Sequence, residues 1–409
     1  MRKIVLVSQV FHPDDQATSQ LLSGLFEKLA DHGGQIQVLA GGPSISGQNS
    51  RSEVWCGIGI RRGGFRVNSK RNLFSRALGY ASYCVWLIWR LLLFTPAGAR
   101  VLVVTNPPFA PVLVHWCSLL RGWRYDVLLH DIYPEGLVAV GKLHRHSAIT
   151  RLWQIFNRAA LASAQIVLVL GRDMARFIKV HYHVPPGKIT YMPNWSPYAS
   201  EGRRPAETTI LWQQLHLQGN FVVQYSGNMG LCHDLECIVR AADLLRTDPQ
   251  IQFLMIGGGM RKNRAEQLGR ELGLTNIRWL AYQPKEQLFD SLACCHVALI
   301  SQRAGLAGLA VPSKLYGILA SGRAVLAQVP ADSEVALVVE EERCGRTIAP
   351  GDAPALAAAI RLLAADIPET ERMGTRAFQA YQEKYTLGRA VCTYEARLKG
   401  EVACETPTL

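Results

Sequence analysis

The chain has 409 residues, 49% of them hydrophobic, ample for the cores of two ordinary domains, with no internal repeat or low-complexity tract. Its ten cysteines show no metal-ligand or CxxC spacing, which argues against a zinc module and for reduced, mostly buried thiols in the cytosol. The net charge of +12 is uneven: residues 1–200 hold 22 Lys/Arg against 9 Asp/Glu, and no acidic residue falls between Glu53 and Asp126. The first half therefore calls for an anionic partner: a membrane surface, a nucleic acid or a phosphorylated substrate.

The start, MRKIVLVSQVF, reads as a strand over Lys3–Val10. Its apolar run is too short for a signal peptide and has no small-residue cleavage site. The loop Phe11–Thr18 follows, then a helix over Ser19–His32 capped by Thr18 or Ser19, then a strand over Gln35–Ala40. This opening is Rossmann-like, but without GxGxxG it makes no case for a dinucleotide. Arg61–Val67 is predicted as a strand. Leu73–Phe94 is apolar and aromatic, and from Leu78 onward Arg90 is its one charge. A bilayer span needs about 20 apolar residues, so this run is marginal. It reads either as an interfacial helix beside the basic cluster Arg61, Arg62, Arg66, Lys70 and Arg71, anchored by Trp86 and Trp89, or as a helix packed on the sheet.

Arg100–Thr105 is a buried parallel strand. Arg124–Leu129 is another, ending in HDIYPE. Side chains at the C-terminal ends of parallel strands line ligand crevices, so Asp131 is a candidate carboxylate. Glu135 is either a second one or a helix-start residue after Pro134. A helix over Ile149–Ala162 and a strand over Gln165–Leu170 follow. Pro193–Pro205 reads as a linker.

The second half repeats the alternation. A strand at Phe221–Tyr225 leads into the turn Ser226–Gly230, and a strand at Gln252–Ile256 into Gly257–Gly259. The stretch Val311–Ala327, VPSKLYGILASGRAVLA, is a loop, a helix and a buried strand. A helix start behind a glycine-bearing loop offers free N–H groups and a positive dipole end to a phosphate. Lys314 in that first turn opposes the dipole unless an anion sits there. Otherwise it is a surface lysine. His233 either bonds a phosphate or caps the next helix. The fold class is α/β, two Rossmann-like, doubly wound domains facing each other across a cleft. They span 1–200 and 201–385, with a C-terminal helix end and tail over 386–409.

The ordered set SQVFHPDDQATSQLL, VVTNPPF, HDIYPEGLVAVG, MPNWSP, YSGNMGLCHDLE, IGGG, AYQP and VPSKLYGILASGR resembles the GT-B glycosyltransferases of retaining family 4. The closest resemblance is to the branch building O-antigen, capsule and colanic-acid-like polysaccharides, which includes N-acetylfucosamine transferases. The resemblance implies transfer from a nucleoside diphosphate sugar, with UDP ahead of GDP, and no catalytic metal or cofactor. No DxD motif is present to hold one. The family commonly carries two glutamates around the last of these motifs; here Leu309 and Gly317 stand at their places. Asn228 and His233 stand where the family commonly has arginine and lysine. Under this reading Gly227, Asn228, Met229, Gly230, His233, Gly257, Gly308, Ser313 and Lys314 hold the phosphates, and Tyr282 and Gln283 lie near the base. Asp131 and Lys314 are the catalytic candidates. Asp15, Gln16, Thr18, Asp131 and Glu135 are the acceptor candidates.

The implied acceptor is a polyprenyl-diphosphate-linked saccharide at the cytoplasmic membrane face. Arg61, Arg62, Lys70, Arg71, Trp86 and Trp89 would dock there as a peripheral anchor. A nucleic-acid partner fits poorly, because the basic segment is interleaved with a long apolar run. A nucleotide-sugar epimerase and an inactive scaffold of a polysaccharide assembly complex are the competing readings.

Overall fold

The computed structural model describes residues 3–14, 16–42, 51–65, 73–196 and 202–399. Asp15, Arg66, Lys70 and Arg71 lie outside them. The chain divides into two compact units. One comprises Met1–Pro197 with Gly308–Ala310 and Leu387–Leu409; the other comprises Tyr198–Ala307 with Val311–Thr386.

The first unit begins β1 (Ile4–Val7), α1 (Ala17–Asp31), β2 (Ile36–Gly41), β3 (Ser52–Trp55), β4 (Ile58–Gly63) and α2 (Leu73–Phe94). It continues β5 (Arg100–Val104), α3 (Ala110–Arg121), β6 (Tyr125–Leu129), α4 (Glu135–Ala139), α5 (Ala148–Ser163), β7 (Val167–Val169), α6 (Arg172–His181) and β8 (Ile189–Tyr191). The described strands form one eight-stranded sheet, ordered β3-β4-β2-β1-β5-β6-β7-β8. All neighbours are parallel except the β3–β4 hairpin. Strands β1, β6 and β7 are buried at every position. That is the signature of a parallel sheet covered on both faces.

The second unit runs α7 (Ile210–Gln214), β9 (Phe221–Asn228), α8 (Leu235–Leu244), β10 (Ile251–Gly258), α9 (Lys262–Glu271), β11 (Ile277–Leu280) and α10 (Leu288–Ala293). Then come β12 (Val297–Ser301), α11 (Lys314–Ala320), β13 (Ala324–Gln328), α12 (Glu334–Glu341), β14 (Gly345–Ile348), α13 (Ala353–Ala365) and α14 (Ile367–Lys384). Its six described strands are all parallel, ordered β11-β10-β9-β12-β13-β14. Helices begin where short polar side chains accept the first free N–H groups: Asp234 for α8, Ser333 for α12, Asp352 for α13 and Asp366 for α14. In both sheets the strand order reverses, at β1/β5 and at β9/β12. Open parallel sheets bind ligands at the carboxyl ends of such strands.

Three expectations change. The strand expected over Arg61–Val67 begins earlier, at Ile58, and is the second arm of a hairpin. Helix α1 starts at Ala17, and its preceding residue Gln16 makes no side-chain cap, so neither Thr18 nor Ser19 caps it. The C-terminal segment is a helix, α15 (Leu387–Lys399), that returns to the first unit and packs on α1. There Tyr394 is buried and meets Trp195 edge to face at 6.2 Å. Replacing that ring by a methyl group leaves a cavity. Tyr394→Ala is expected to lose about 3 kcal/mol in urea unfolding, and Tyr394→Phe about 1 kcal/mol or less.

Candidate functional site

In the second unit the ends of β9 and β10 lie side by side, with Gly227 paired to Gly257 and Asn228 to Gly258. The approach is closer than side chains allow: a Cβ on Gly257 would stand 2.1 Å from the Gly227 carbonyl oxygen, and Gly257 has φ 130°. The following turn is tied down by Met229 N–H donating to Gly258 O (2.8 Å) and Arg261 N–H to Met229 O (3.0 Å). Lys262 donates to Gly257 O (3.0 Å) and Leu280 O (3.1 Å), holding the β10 and β11 ends together.

Lys314 opens α11 and reaches back under this turn. Its Nζ lies 3.7 Å from the centroid of the Tyr225 ring and 3.7 Å from where a Gly227 Cβ would stand. The ammonium nitrogen is buried and has no hydrogen-bond partner. Burial pushes its pKa down to about 7. Ser313, just before the helix, makes no side-chain cap. The exposed Tyr282 donates to Gly258 O (3.1 Å), and Gln283 donates to Ala281 O (3.1 Å).

Three expected phosphate contacts are corrected. The Met229 side chain is fully buried in the core and its N–H is spent on Gly258, so it offers a phosphate nothing. The Gly308 N–H donates to the Asp173 carboxylate at 2.8 Å, within the first unit. His233 does not cap α8, and its ring is engaged on the protein itself. Its Nδ1 lies 2.6 Å from the Ser301 carbonyl, which can only accept, so the proton sits there. Burial, then the nearby Lys314, push its pKa down to about 3. The neutral ring keeps one acceptor nitrogen, which has no proton to give a phosphate oxygen. His233 instead fastens the turn to β12, while Asp234 caps α8. At the places of the two missing glutamates, Leu309 is buried and Gly317 lies on α11 beside Leu292.

In the first unit Thr105 ends β5, and its hydroxyl oxygen accepts the N–H of His130 (3.1 Å) and of Asp131 (3.2 Å). Asp131 is further fixed by a bridge to Ala310 and by Ile132 N–H donating to Leu309 O (2.8 Å). Its exposed side chain opens on a small pocket that includes Thr105, Tyr133, Asn157 and Tyr182. Neighbouring protein pushes the carboxyl's pKa up to about 6, although the side chain keeps access to solvent. Glu135 is differently placed: both its oxygens lie 2.8 Å from the Tyr182 hydroxyl, and Gln154 donates to it at 2.9 Å. Its carboxylate is taken up in holding the α4, α5 and α6 region, which replaces the acceptor contact expected of it. Gln16 is exposed before α1 and Thr18 is half-buried in its first turn.

The expected membrane anchors separate. Arg61 and Trp89 are exposed. Arg62 is not: it is buried, pairs with Glu53 at 2.7 Å and donates to His12 O. Successive strand residues face opposite sides, so only one of the adjacent arginines on β4 points outward. Trp86 lies flat against Gly63, where a Cβ would collide with its ring at 2.0 Å, so it is a packing residue.

Two families match the chain: the glycosyl transferase 4-like domain over residues 18–195 and the glycosyl transferases group 1 over residues 207–380. The probable glycosyltransferase WbjE of Pseudomonas aeruginosa is 28% identical over 293 residues, 72% of this chain and 73% of its own length. The putative colanic acid biosynthesis glycosyl transferase WcaI of Escherichia coli is 28% identical over 245 residues, 59% of this chain and 60% of its own. Among solved structures, the sucrose-phosphate synthase of Thermosynechococcus elongatus superposes with TM-score 0.74 at 17% identity, covering 98% of this chain and 99% of that one. WaaG, a glycosyltransferase involved in lipopolysaccharide biosynthesis, gives 0.70 at 16%, covering 95% and 98%. Two parallel-sheet domains with these matches define a GT-B glycosyltransferase. The chain belongs to the glycosyltransferase family whose two domains these models describe, with a glycosyl transferase 4-like first half and a group 1 second half.

Lys314 carries a stability cost with a defined pH range. Its pKa is about 10.5 when unfolded and about 7 when folded, so the folded chain is penalised fully below pH 7 and less as pH rises toward 10.5. Lys314→Met is expected to be more stable than wild type, by most below pH 7 and by progressively less between pH 7 and 10. Urea unfolding at several pH values measures this.

Proposed function

We propose that the protein transfers a sugar, with retention, from a UDP-linked N-acetylated or 6-deoxy sugar to a lipid-linked saccharide in cell-surface polysaccharide assembly. The observation that carries this is Lys314: a buried cation without an acceptor, beside a glycine turn at the switch point of a parallel sheet. Such a cation meets the charge that builds on a departing diphosphate, and it acts most strongly where water is excluded. Support for a nucleotide-sugar donor comes from HepE of Anabaena, solved in complex with UDP, with TM-score 0.71 over 98% of this chain. The polysaccharide setting is supported by the name of the WcaI relative.

The bond from the anomeric carbon to the diphosphate oxygen breaks, and the acceptor oxygen attaches on the same face. The acceptor proton passes to the departing diphosphate where Asp131 only orients the hydroxyl, or to Asp131 where it acts as base. Asp131 serves the acceptor hydroxyl as orienter or base; a carboxylate with pKa near 6 suits either task near neutral pH. No metal takes part. Asp131→Asn is expected to lower transfer at least about a hundredfold with UDP affinity unchanged. Lys314→Ala is expected to weaken UDP binding about tenfold or more. Transfer is expected to survive EDTA. The assay pairs a panel of UDP-sugars with a synthetic polyprenyl-diphosphate saccharide. Release of epimerised sugar without acceptor would sink the transferase reading in favour of the epimerase, and absence of both transfer and UDP binding would favour the scaffold.

The acceptor also implies an anionic bilayer. Among the described residues no helix is long and apolar enough to cross one. Helix α2 buries Tyr83, Leu87 and Leu91 while exposing Val85, Trp89, Leu93 and Phe94. The exposed apolar surface extends to Trp116, Leu119 and Leu120 of α3 and Leu152 and Ile155 of α5. These helices adjoin: α3 packs on both, Trp116 meets Phe156 edge to face at 5.2 Å, and Arg121 at the α3 end reaches Thr95 O after α2. Exposed Arg121, Arg151 and Arg158 stand beside it. Apolar burial plus attraction to anionic lipid is a two-signal anchor. The double variant Leu119→Asp/Leu120→Asp is expected to lose most co-sedimentation with phosphatidylglycerol-containing vesicles. Wild type is expected to bind zwitterionic vesicles far less. Equal sedimentation of variant and wild type would refute the anchor.

A further inference from the structure

Tyr225 is fully buried within β9, three residues before the strand ends, and touches three groups at once. Its ring face lies against the Lys314 ammonium, its hydroxyl donates to Asn228 O at 2.8 Å, and its edge meets the His233 imidazole at 6.0 Å and 73°. We propose that Tyr225 is a positioning residue for the donor: it seats the Lys314 ammonium on its π face and pins the turn Ser226–Asn228, keeping the lysine's three N–H groups unspent for the diphosphate. The inference rests on the reading that Lys314 meets that group.

The chemistry distinguishes this seat from the obvious alternative. A buried ammonium needs a charge partner. A carboxylate would supply one, but it would consume the N–H donors and compete with an incoming oxyanion. The quadrupole of an aromatic face attracts the cation without occupying any N–H as a directed lone pair does. The groups around Lys314 fit this. The Tyr225 ring lies against it and a neutral His233 interacts with it; Cys232 and Tyr282 stand near Tyr225, and Lys262 is turned to Gly257 O and Leu280 O. Among the described residues no carboxylate pairs with Lys314. The hydroxyl has a separate duty. By holding Asn228 O it fixes the strand end where Gly227 and Gly257 cross closely.

The two duties separate by substitution. The probe is UDP, titrated calorimetrically between pH 6 and 9 on the full chain, with each profile taken as its difference from K314M, so that UDP's own titration cancels. Wild type is expected to bind more weakly as pH rises past the Lys314 pKa, because the neutral amine attracts the diphosphate less. Tyr225→Phe keeps the ring: affinity falls about threefold and the pH midpoint stays. Tyr225→Leu removes the ring: the midpoint moves down by about one pH unit and affinity at pH 8 falls a further tenfold or so. In the K314M background, Tyr225→Leu adds no pH dependence. An unchanged midpoint in Tyr225→Leu, with thermal melting showing it folded, would overturn the proposal and leave the donor reading standing. If Tyr225→Leu does not fold, Tyr225→Phe decides: a shifted midpoint there overturns the seat. UDP binding indifferent to Lys314, or absent, would remove the donor reading and this inference with it.

Discussion

Parallel strands buried on both faces leave polar chemistry few places to go. Every position of β6, β12 and β13 is buried, so these strands cannot present a side chain to a ligand along their length. Functional groups collect at the carboxyl ends, where chain leaves the sheet and backbone groups lose their ladder partners. Both units obey this independently. Thr105 and Asp131 follow β5 and β6; Asn228, His233 and Ser301 gather where β9 meets β12. In each unit a side chain replaces the missing ladder bonds. Thr105 takes two amide protons, and Ser301 takes the Asp234 N–H while donating to Gln328. These are the devices that hold irregular backbone rigid beside a ligand crevice.

Under the proposed function, the second unit meets the diphosphate with a single buried lysine. The places where the family commonly has arginine and lysine hold Asn228 and His233, and His233 is locked neutral. Positive charge is instead supplied from α11 by Lys314. The groups beside it are a neutral imidazole and a phenol. A carboxylate there would raise the lysine's pKa and stabilise the fold. It would also satisfy the donors in advance. The stability forgone is the physical mark of a group held for something that arrives from outside.

How legible this was in the chain follows from range. Alternation of apolar runs with glycine punctuation is local, so the strands, the glycine turns and the α11–β13 unit were readable. The place of Asp131 just past the end of a parallel strand was readable too, because it depends only on local sequence. What was lost depended on partners distant in sequence. Gly308 looks like a phosphate glycine until Asp173 claims its amide. Glu135 looks like a free carboxylate until Tyr182 and Gln154 claim it. Met229 sits in a glycine turn, yet its apolar side chain goes to the core, and that preference was visible. The segment after Leu387 was readable as a helix end and tail, but not its return to the first unit, because its apolar stripe has meaning only against α1. Tyr225 was read as one more strand residue; nothing local marks a tyrosine whose face will receive a lysine from 89 positions later.

The basic first half illustrates a further limit of composition. Charge counts cannot tell Arg61 from Arg62, although strand alternation sends one to solvent and the other into a pair with Glu53. A long apolar helix likewise does not have to choose between packing on the sheet and meeting a membrane. Helix α2 has apolar residues on both sides: Tyr83, Leu87 and Leu91 form one stripe at helical spacing, and Leu78, Val85, Trp89 and Leu93 another. One stripe completes the core of the unit. The other would be an unexplained cost in water were it isolated, but exposed apolar positions on α3 and α5 continue it, and patches that large on one face mark an interaction surface. Packing on the sheet and the proposed membrane contact thus need not compete for Leu73–Phe94, because each uses a different side of the helix.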